Sequence, residues 1–275
     1  MFTLHNGDCL QVMPSIPSGS IDAIITDLPY GTTACKWDTV IEFAPMWKEV
    51  KRVLKPNGVF ITTANQPFTS ALIMSDIKYF KYELIWSKTR NTHPFFAKIR
   101  PLPAHENILI FGNPKTYNPQ KEKSADYKVN NGFGKLRGDN KGDKWNGESE
   151  TRNEKLPKSV IQISNPSIGS GNLHPTQKPV ALYEYLIKTY TNEGETVLDI
   201  AMGIGTTIEA AERTGRNSIG IEKDEGIFQS AVLRLKPFTP SNTACAGRLD
   251  SSATQSSFTA EGISPAKAHG AKRRQ

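Results

Sequence analysis

A strand that runs into a glycine turn and then a helix normally opens a doubly wound sheet, with several more strands to come. In this chain the signal comes late. The apolar run Thr196–Ile200 enters Gly203-Ile204-Gly205, and a helical pattern follows over Thr206–Arg213. Only one more strand signal, Ser218–Ile221, remains before a last helical pattern at Glu225–Leu235. The missing strands must come from the N-terminal half, so the sheet reads as circularly permuted. That half offers Met1–Asn6, Ile21–Thr26, Val59–Thr63, Tyr82–Ser87 and Asn107–Phe111 as strands. Thr39–Leu54 has helical spacing, stopped by Lys55-Pro56-Asn57-Gly58, and Pro67–Ser75 is also helical. Alternation of this kind predicts an α/β fold with helices on the faces of the sheet.

Between 113 and 172 the pattern collapses into Asn, Gly, Lys, Asp, Ser and Pro, too long a stretch for an ordinary connection. After Pro237 large apolar residues almost vanish, and 236–275 is expected to be a disordered tail. The division is therefore 1–112, an insertion 113–172, then 173–235 and the tail. Charge follows it. The insertion carries 11 basic and 7 acidic residues, the tail 6 and 2, and the rest 17 and 18, within a net charge of +7. A near-neutral body with two basic appendages points to a polyanionic partner, although the same charge would also aid solubility. Three scattered cysteines (Cys9, Cys35, Cys245) argue against a disulfide scaffold and for a reducing, cytoplasmic setting. No apolar run approaches a membrane span, and the first residues lack a signal-peptide pattern.

Asp27-Leu28-Pro29-Tyr30 follows directly on the apolar strand Ile21–Thr26. Ligands of open α/β sheets bind at the carboxyl ends of strands. A carboxylate there suits work on a nucleobase amine, whose lone pair is delocalised into the ring. Asp27 would accept one amine hydrogen and the Leu28 carbonyl the other, with Pro29 stiffening the turn and Tyr30 stacking on a base flipped from the duplex. A plain Asp-Pro turn is the alternative.

The glycine turn lacks the third glycine of the dinucleotide fingerprint, because position 208 is Ile. A ligand without phosphates fits better. Asp199 precedes the turn, Gly203, Gly205 and Thr206 form it, and Glu222 ends the next strand, where an acid can bind ribose hydroxyls. A tight turn with no ligand is the alternative. These residues suit S-adenosylmethionine, which has an amino-acid end, a ribose and an adenine.

With these motifs the chain resembles the permuted β-class amino-methylating DNA methyltransferases, which modify adenine N6 or cytosine N4. The resemblance covers about 1–112 and 173–235. It is carried by Asn6-Gly7-Asp8-Cys9-Leu10, Asp27-Leu28-Pro29-Tyr30, Trp86-Ser87-Lys88, His105-Glu106, His174-Pro175-Thr176-Gln177-Lys178-Pro179 and Asp199 through Thr207. Leu28 departs from the family's first proline. The resemblance implies a Rossmann-like S-adenosylmethionine-dependent methyltransferase fold with 113–172 as an irregular target-recognition insertion. It also implies that Asp8 contacts the cofactor, although Asp8 also suits a helix N-cap. Thr176 and Lys178 would hold the cofactor's amino-acid end, although Lys178-Pro179 also suits a helix start. Asp at position 27, where cytosine-N4 members more often have Ser, favours adenine N6 in double-stranded DNA. The rivals are cytosine-N4 methylation and a catalytically silent DNA-binding protein.

The stretch 88–100 holds four basic residues and no acidic one, with Phe95 and Phe96 side by side. Lys88, Arg90, Lys98 and Arg100 would meet phosphates, and the two rings would stack on splayed bases or tuck into the core. No His/Cys/Asp cluster has metal-ligand spacing, and in-line displacement from a sulfonium requires no metal. The sequence leaves open the DNA site, a homodimer and a cognate restriction nuclease.

Overall fold

Ten strands and six helices carry the fold in the computed structural model, which describes residues 1–32, 38–89, 97–130, 149–165 and 177–238. The strands are β1 (Phe2–Asn6), β2 (Ile21–Thr26), β3 (Leu54–Ala64), β4 (Phe80–Ser87), β5 (His105–Gly112), β6 (Glu122–Asn130), β7 (Ser149–Lys155), β8 (Val160–Gln162), β9 (Thr196–Asp199) and β10 (Asn217–Glu222). The helices are α1 (Cys9–Val12), α2 (Phe43–Val53), α3 (Phe68–Ser75), α4 (Val180–Tyr190), α5 (Thr206–Arg213) and α6 (Glu225–Leu235). None of these helices is long and apolar enough to cross a membrane.

Eight strands form one sheet in the order β1-β10-β9-β2-β3-β5-β4-β8. The run β1 to β3 is parallel, β5 is antiparallel to both neighbours, and β8 is parallel to β4. If counting starts at the glycine-turn strand β9, the five parallel strands read 3-2-1-4-5, the doubly wound order. The first strand of the chain thus lies outside the last, as the late glycine turn requires. From β9 the chain moves outward through α5 to β10, and from β2 it moves the other way through α2 to β3. The switch point, where ligands bind in such sheets, lies between the carboxyl ends of β9 and β2.

Local sequence explains most of these elements. β2 is buried at five of six positions, as a parallel strand covered on both faces must be. In α2, Met46, Trp47, Val50 and Val53 recur at three- and four-residue spacing and are buried together. They pack with Phe60, Phe111 and Leu72 on one face of the sheet. Leu182, Leu186, Ile187 and Ala210 of α4 and α5 pack with Ile25, Ile61 and Trp86 on the other.

The structure differs from the sequence expectation in three places. α2 starts at Phe43, not Thr39, because Pro45 lacks an N–H and fits only the first turn. Lys55–Gly58 does not separate helix from strand. It is an excursion within β3, exposed at Lys55–Asn57 and buried again at Gly58, where the register against β2 jumps from Ile21↔Leu54 to Ala23↔Val59. The insertion is not irregular throughout. β6 and β7 pair as an antiparallel hairpin, and β8 extends the main sheet beside β4. Ile161 of β8 is buried among Trp86 and Ile108, so this part of 113–172 belongs to the core. Lys236–Phe238 continues α6 as a short 3₁₀ turn, and the remainder of the expected tail lies outside the described residues.

Candidate active site

Asp27 leaves the carboxyl end of β2 at the switch point, beside the end of β9. Three donors reach its carboxylate. The Tyr30 hydroxyl donates to Oδ1 at 2.8 Å, the Thr63 hydroxyl also donates to Oδ1, and the Lys178 ammonium donates to Oδ2 at 2.7 Å. Thr63 arrives because β3 lies next to β2, and Lys178 because it leads into α4 over the same strand ends. Burial would lower the pKa of Lys178, but Asp27 and Glu106 outweigh it and raise it. Burial, with Asp27 and Glu106 nearby, holds the Tyr30 phenol well above its usual range. The Tyr30 ring packs on Phe68 at 5.2 Å between centroids, and Lys178 lies 5.7 Å from its own centroid.

Leu28 is buried in the core, and the turn beyond it has its own clamp. The amides of Gly31 and Thr32 donate to the two oxygens of Asp38 at 2.8 and 2.9 Å. Gly31 has φ +68°, a conformation that glycine adopts without strain.

Asp199 is 2% exposed and accepts from the Thr26 hydroxyl at 2.7 Å, the Ala201 amide at 3.1 Å and Thr207. Burial pushes its carboxyl up to about 6. Glu222, at the end of β10, accepts from the amides of Gly203 at 3.0 Å and Asp224 at 2.8 Å, and burial raises its pKa. The Lys223 amide also bonds this carboxylate, and since a carboxylate offers about four acceptor positions, about one remains for a hydroxyl. The two glycines differ. Both have left-handed backbones, but a methyl group added at Gly203 would meet nothing within 4 Å, whereas one at Gly205 would lie 2.8 Å from Leu235 Cδ1. Gly205 serves helix packing, and Gly203 leaves open space beside Glu222.

Comparison with known proteins gives the chain a family. The profile of the N6/N4 DNA methylase family matches residues 21–233. The chain belongs to that family. The type II methyltransferase M.HpaI of Haemophilus parainfluenzae is 31% identical over 253 residues, covering 83% of this chain and 72% of the relative. The type II methyltransferase M.HinfI of Haemophilus influenzae is 27% identical over 272 residues, covering 86% and 69%. Among solved structures, M1.HpyAVI in complex with SAM superposes with TM-score 0.59 at 24% identity, covering 86% of this chain and all of that one. The PvuII DNA methyltransferase, cytosine-N4-specific, gives 0.61 at 20% identity, covering 88% of each chain. These last two likenesses speak for the fold.

The methylase brings Asp27, Leu28, Pro29, Tyr30, Lys178 and Asp199 to one switch point, with Gly203, Gly205 and Glu222 along the adjoining strand ends. Asp8 caps α1 by accepting from the Leu10 amide at 2.9 Å and pairs with Lys223 at 3.0 Å. Thr206 turns its hydroxyl to Arg234 at 3.0 Å, and the next residue, Thr207, reaches Asp199. Lys178 reaches Asp27, a contact across 151 positions that the sequence does not signal. The phosphate role expected of Lys88 is corrected. Its side chain is 9% exposed and its ammonium binds Glu106 inside the methylase, because a buried lysine needs a charged partner. Lys98 and Arg100 are exposed. Arg90, Phe95, Phe96 and Thr176 lie outside the described residues. The sequence does not single out Thr63, Asp38 or Thr207, since one Thr or Asp in a strand, a loop or the first turn of a helix carries no periodic signal.

Proposed function

We propose that this methylase transfers a methyl group from S-adenosylmethionine to N6 of an adenine flipped out of double-stranded DNA. The observation that carries the reading is the Asp27 carboxylate at the switch point, one strand away from Asp199 and the open side of Gly203. The residues fit the cofactor. A pyrophosphate would meet the carboxylates Asp199 and Glu222 unfavourably, whereas a nucleoside with free ribose hydroxyls finds acceptors there. When bound, S-adenosylmethionine supplies a methyl group on a positively charged sulfur. Glu222 would accept from the ribose, Gly203 would allow close approach of the ligand, and Asp8 borders the same strand end.

Asp27 would accept a hydrogen of the target amine and so raise electron density on the nitrogen. The Leu28 carbonyl would accept the other hydrogen, and Tyr30 would face the base. Residues 113–172, including the β6–β7 hairpin, would read the target, and Lys98 and Arg100 would meet backbone phosphates. The type II class of the relatives supports a cognate restriction nuclease and a cytoplasmic setting with the host DNA. The reading also admits a homodimer, which light scattering would register.

The test is nucleoside mass spectrometry of DNA treated with the methylase and S-adenosylmethionine. N6-methyladenine is expected from the wild type and none from Asp27→Ala. N4-methylcytosine would replace the adenine reading with its rival. No methylated base, with DNA still bound, would make the protein a silent binder.

A further inference from the structure

Glu106 stands at the start of β5, which runs antiparallel and so brings this end to the active edge, opposite Trp86 of β4. It is 6% exposed. Two ammonium groups flank its carboxylate. Lys88 bonds Oε1 from one side while standing 5.1 Å from the Trp86 ring centroid. Lys178 lies 3.3 Å from Oε2 on the other side. Oε2 is fully buried, and its one polar neighbour is this long Lys178 ion pair, which lacks the geometry of a full hydrogen bond. An unmade bond on a buried carboxylate oxygen costs free energy, so such an atom calls for an account of its own.

The same lysine occupies Asp27. With Tyr30, Thr63 and Lys178 all donating, Asp27 has three of its roughly four acceptor positions filled. The position left is on Oδ2, so a substrate amine that takes it comes up directly beside the Lys178 ammonium. Charged N–H···O bonds are about 2.7–2.9 Å long, so a shift on the order of half an ångström would bring Lys178 onto Glu106. Two carboxylates and two ammoniums make the cluster neutral, and the shift leaves that balance unchanged.

We propose that Glu106 is a positioning residue for methyl transfer: its Oε2 receives the Lys178 ammonium when the target amine takes Asp27 Oδ2, and Lys88 holds the receiving carboxylate in place. The proposal rests on the reading of Asp27 as the acceptor of the amine.

The test is Glu106→Gln, which keeps shape and removes charge. Expected are a cooperative melt, S-adenosylmethionine affinity within about threefold of wild type, and kcat lowered by about 10–100-fold with little change in KM for DNA. Glu106→Asp should recover part of the loss. In a Lys178→Met background, Glu106→Gln should cost nothing further, because no ammonium is left to receive; a purely structural role would cost the same in both backgrounds. If Glu106→Gln fails to fold, the charge-balanced Glu106→Gln/Lys88→Met variant is expected to show the same loss. Wild-type turnover in the folded variant, or losses that multiply with Lys178→Met, overturns the proposal. Asp27→Ala measured in parallel separates the two readings. If it stays active, the assignment of Asp27 fails. If it is dead while Glu106→Gln is fully active, only the role of Glu106 fails.

Discussion

Gly203 and Gly205 occupy one turn, with φ of +54° and +78°, yet alanine should harm them in different ways. At Gly203 the added methyl meets no heavy atom within 4 Å, so the stability cost is the left-handed backbone alone, about 1–2 kcal/mol. At Gly205 the methyl lies 2.8 Å from Leu235 Cδ1 and 3.7 Å from Ala231 Cβ, which adds overpacking of about 1–3 kcal/mol. For a body of this size each kcal/mol lowers Tm by about 2–4 °C. Gly205→Ala should therefore melt well below Gly203→Ala, roughly twice as far from wild type. Cofactor affinity should rank the other way. The Gly203 amide holds Glu222, and its open side is where a ligand would come close. Gly203→Ala should weaken S-adenosylmethionine by at least about tenfold, or about 1.4 kcal/mol, while folded Gly205→Ala binds within about threefold. Calorimetric titration and thermal melts on both variants decide it. Wild-type affinity in Gly203→Ala would move the cofactor off this turn. A wild-type Tm in Gly205→Ala would show that Leu235 gives way without cost.

Other consequences are equally direct. Asp27→Ala should keep S-adenosylmethionine binding and lower turnover by at least ~10²–10³, the usual cost of one lost electrostatic group at a reacting centre; turnover near wild type would remove Asp27 from the chemistry. Asp199 titrates near 6 when folded and near 3.8 as an ordinary aspartate, so the folded state holds its proton more tightly. That contribution is complete below about pH 3.8 and is lost as pH rises through about 6, a change of about 3 kcal/mol. Asp199→Asn lacks it, so in urea unfolding the variant should gain on wild type by up to that amount between pH 4 and 7; a difference that does not change with pH refutes the assignment. Lys98→Ala or Arg100→Ala should weaken binding to all DNA sequences and lower the salt slope by about one per lost contact; an unchanged slope places the phosphate contacts elsewhere.

The sequence by itself determined the sheet and its winding. Buried β-branched runs such as Ile21–Thr26 read as strands covered on both faces, and a glycine turn with one strand signal behind it points to a permuted sheet. The places of Asp27 and Glu222 were legible because each stands where such a strand ends, and that of Gly203 because it lies in the glycine turn that follows β9. The β6–β7 hairpin was not legible. None of its described side chains is buried, and a strand with no buried face has no apolar alternation to betray it. β8 is only three residues long, too short to show a period. Only the tertiary structure turned Lys88 inward and brought Lys178 to Asp27 and Glu106. Periodicity records which face of an element is buried. Which ammonium meets which carboxylate depends on the lateral order of strands far apart in the chain, and on the cost of leaving any of these charges buried alone.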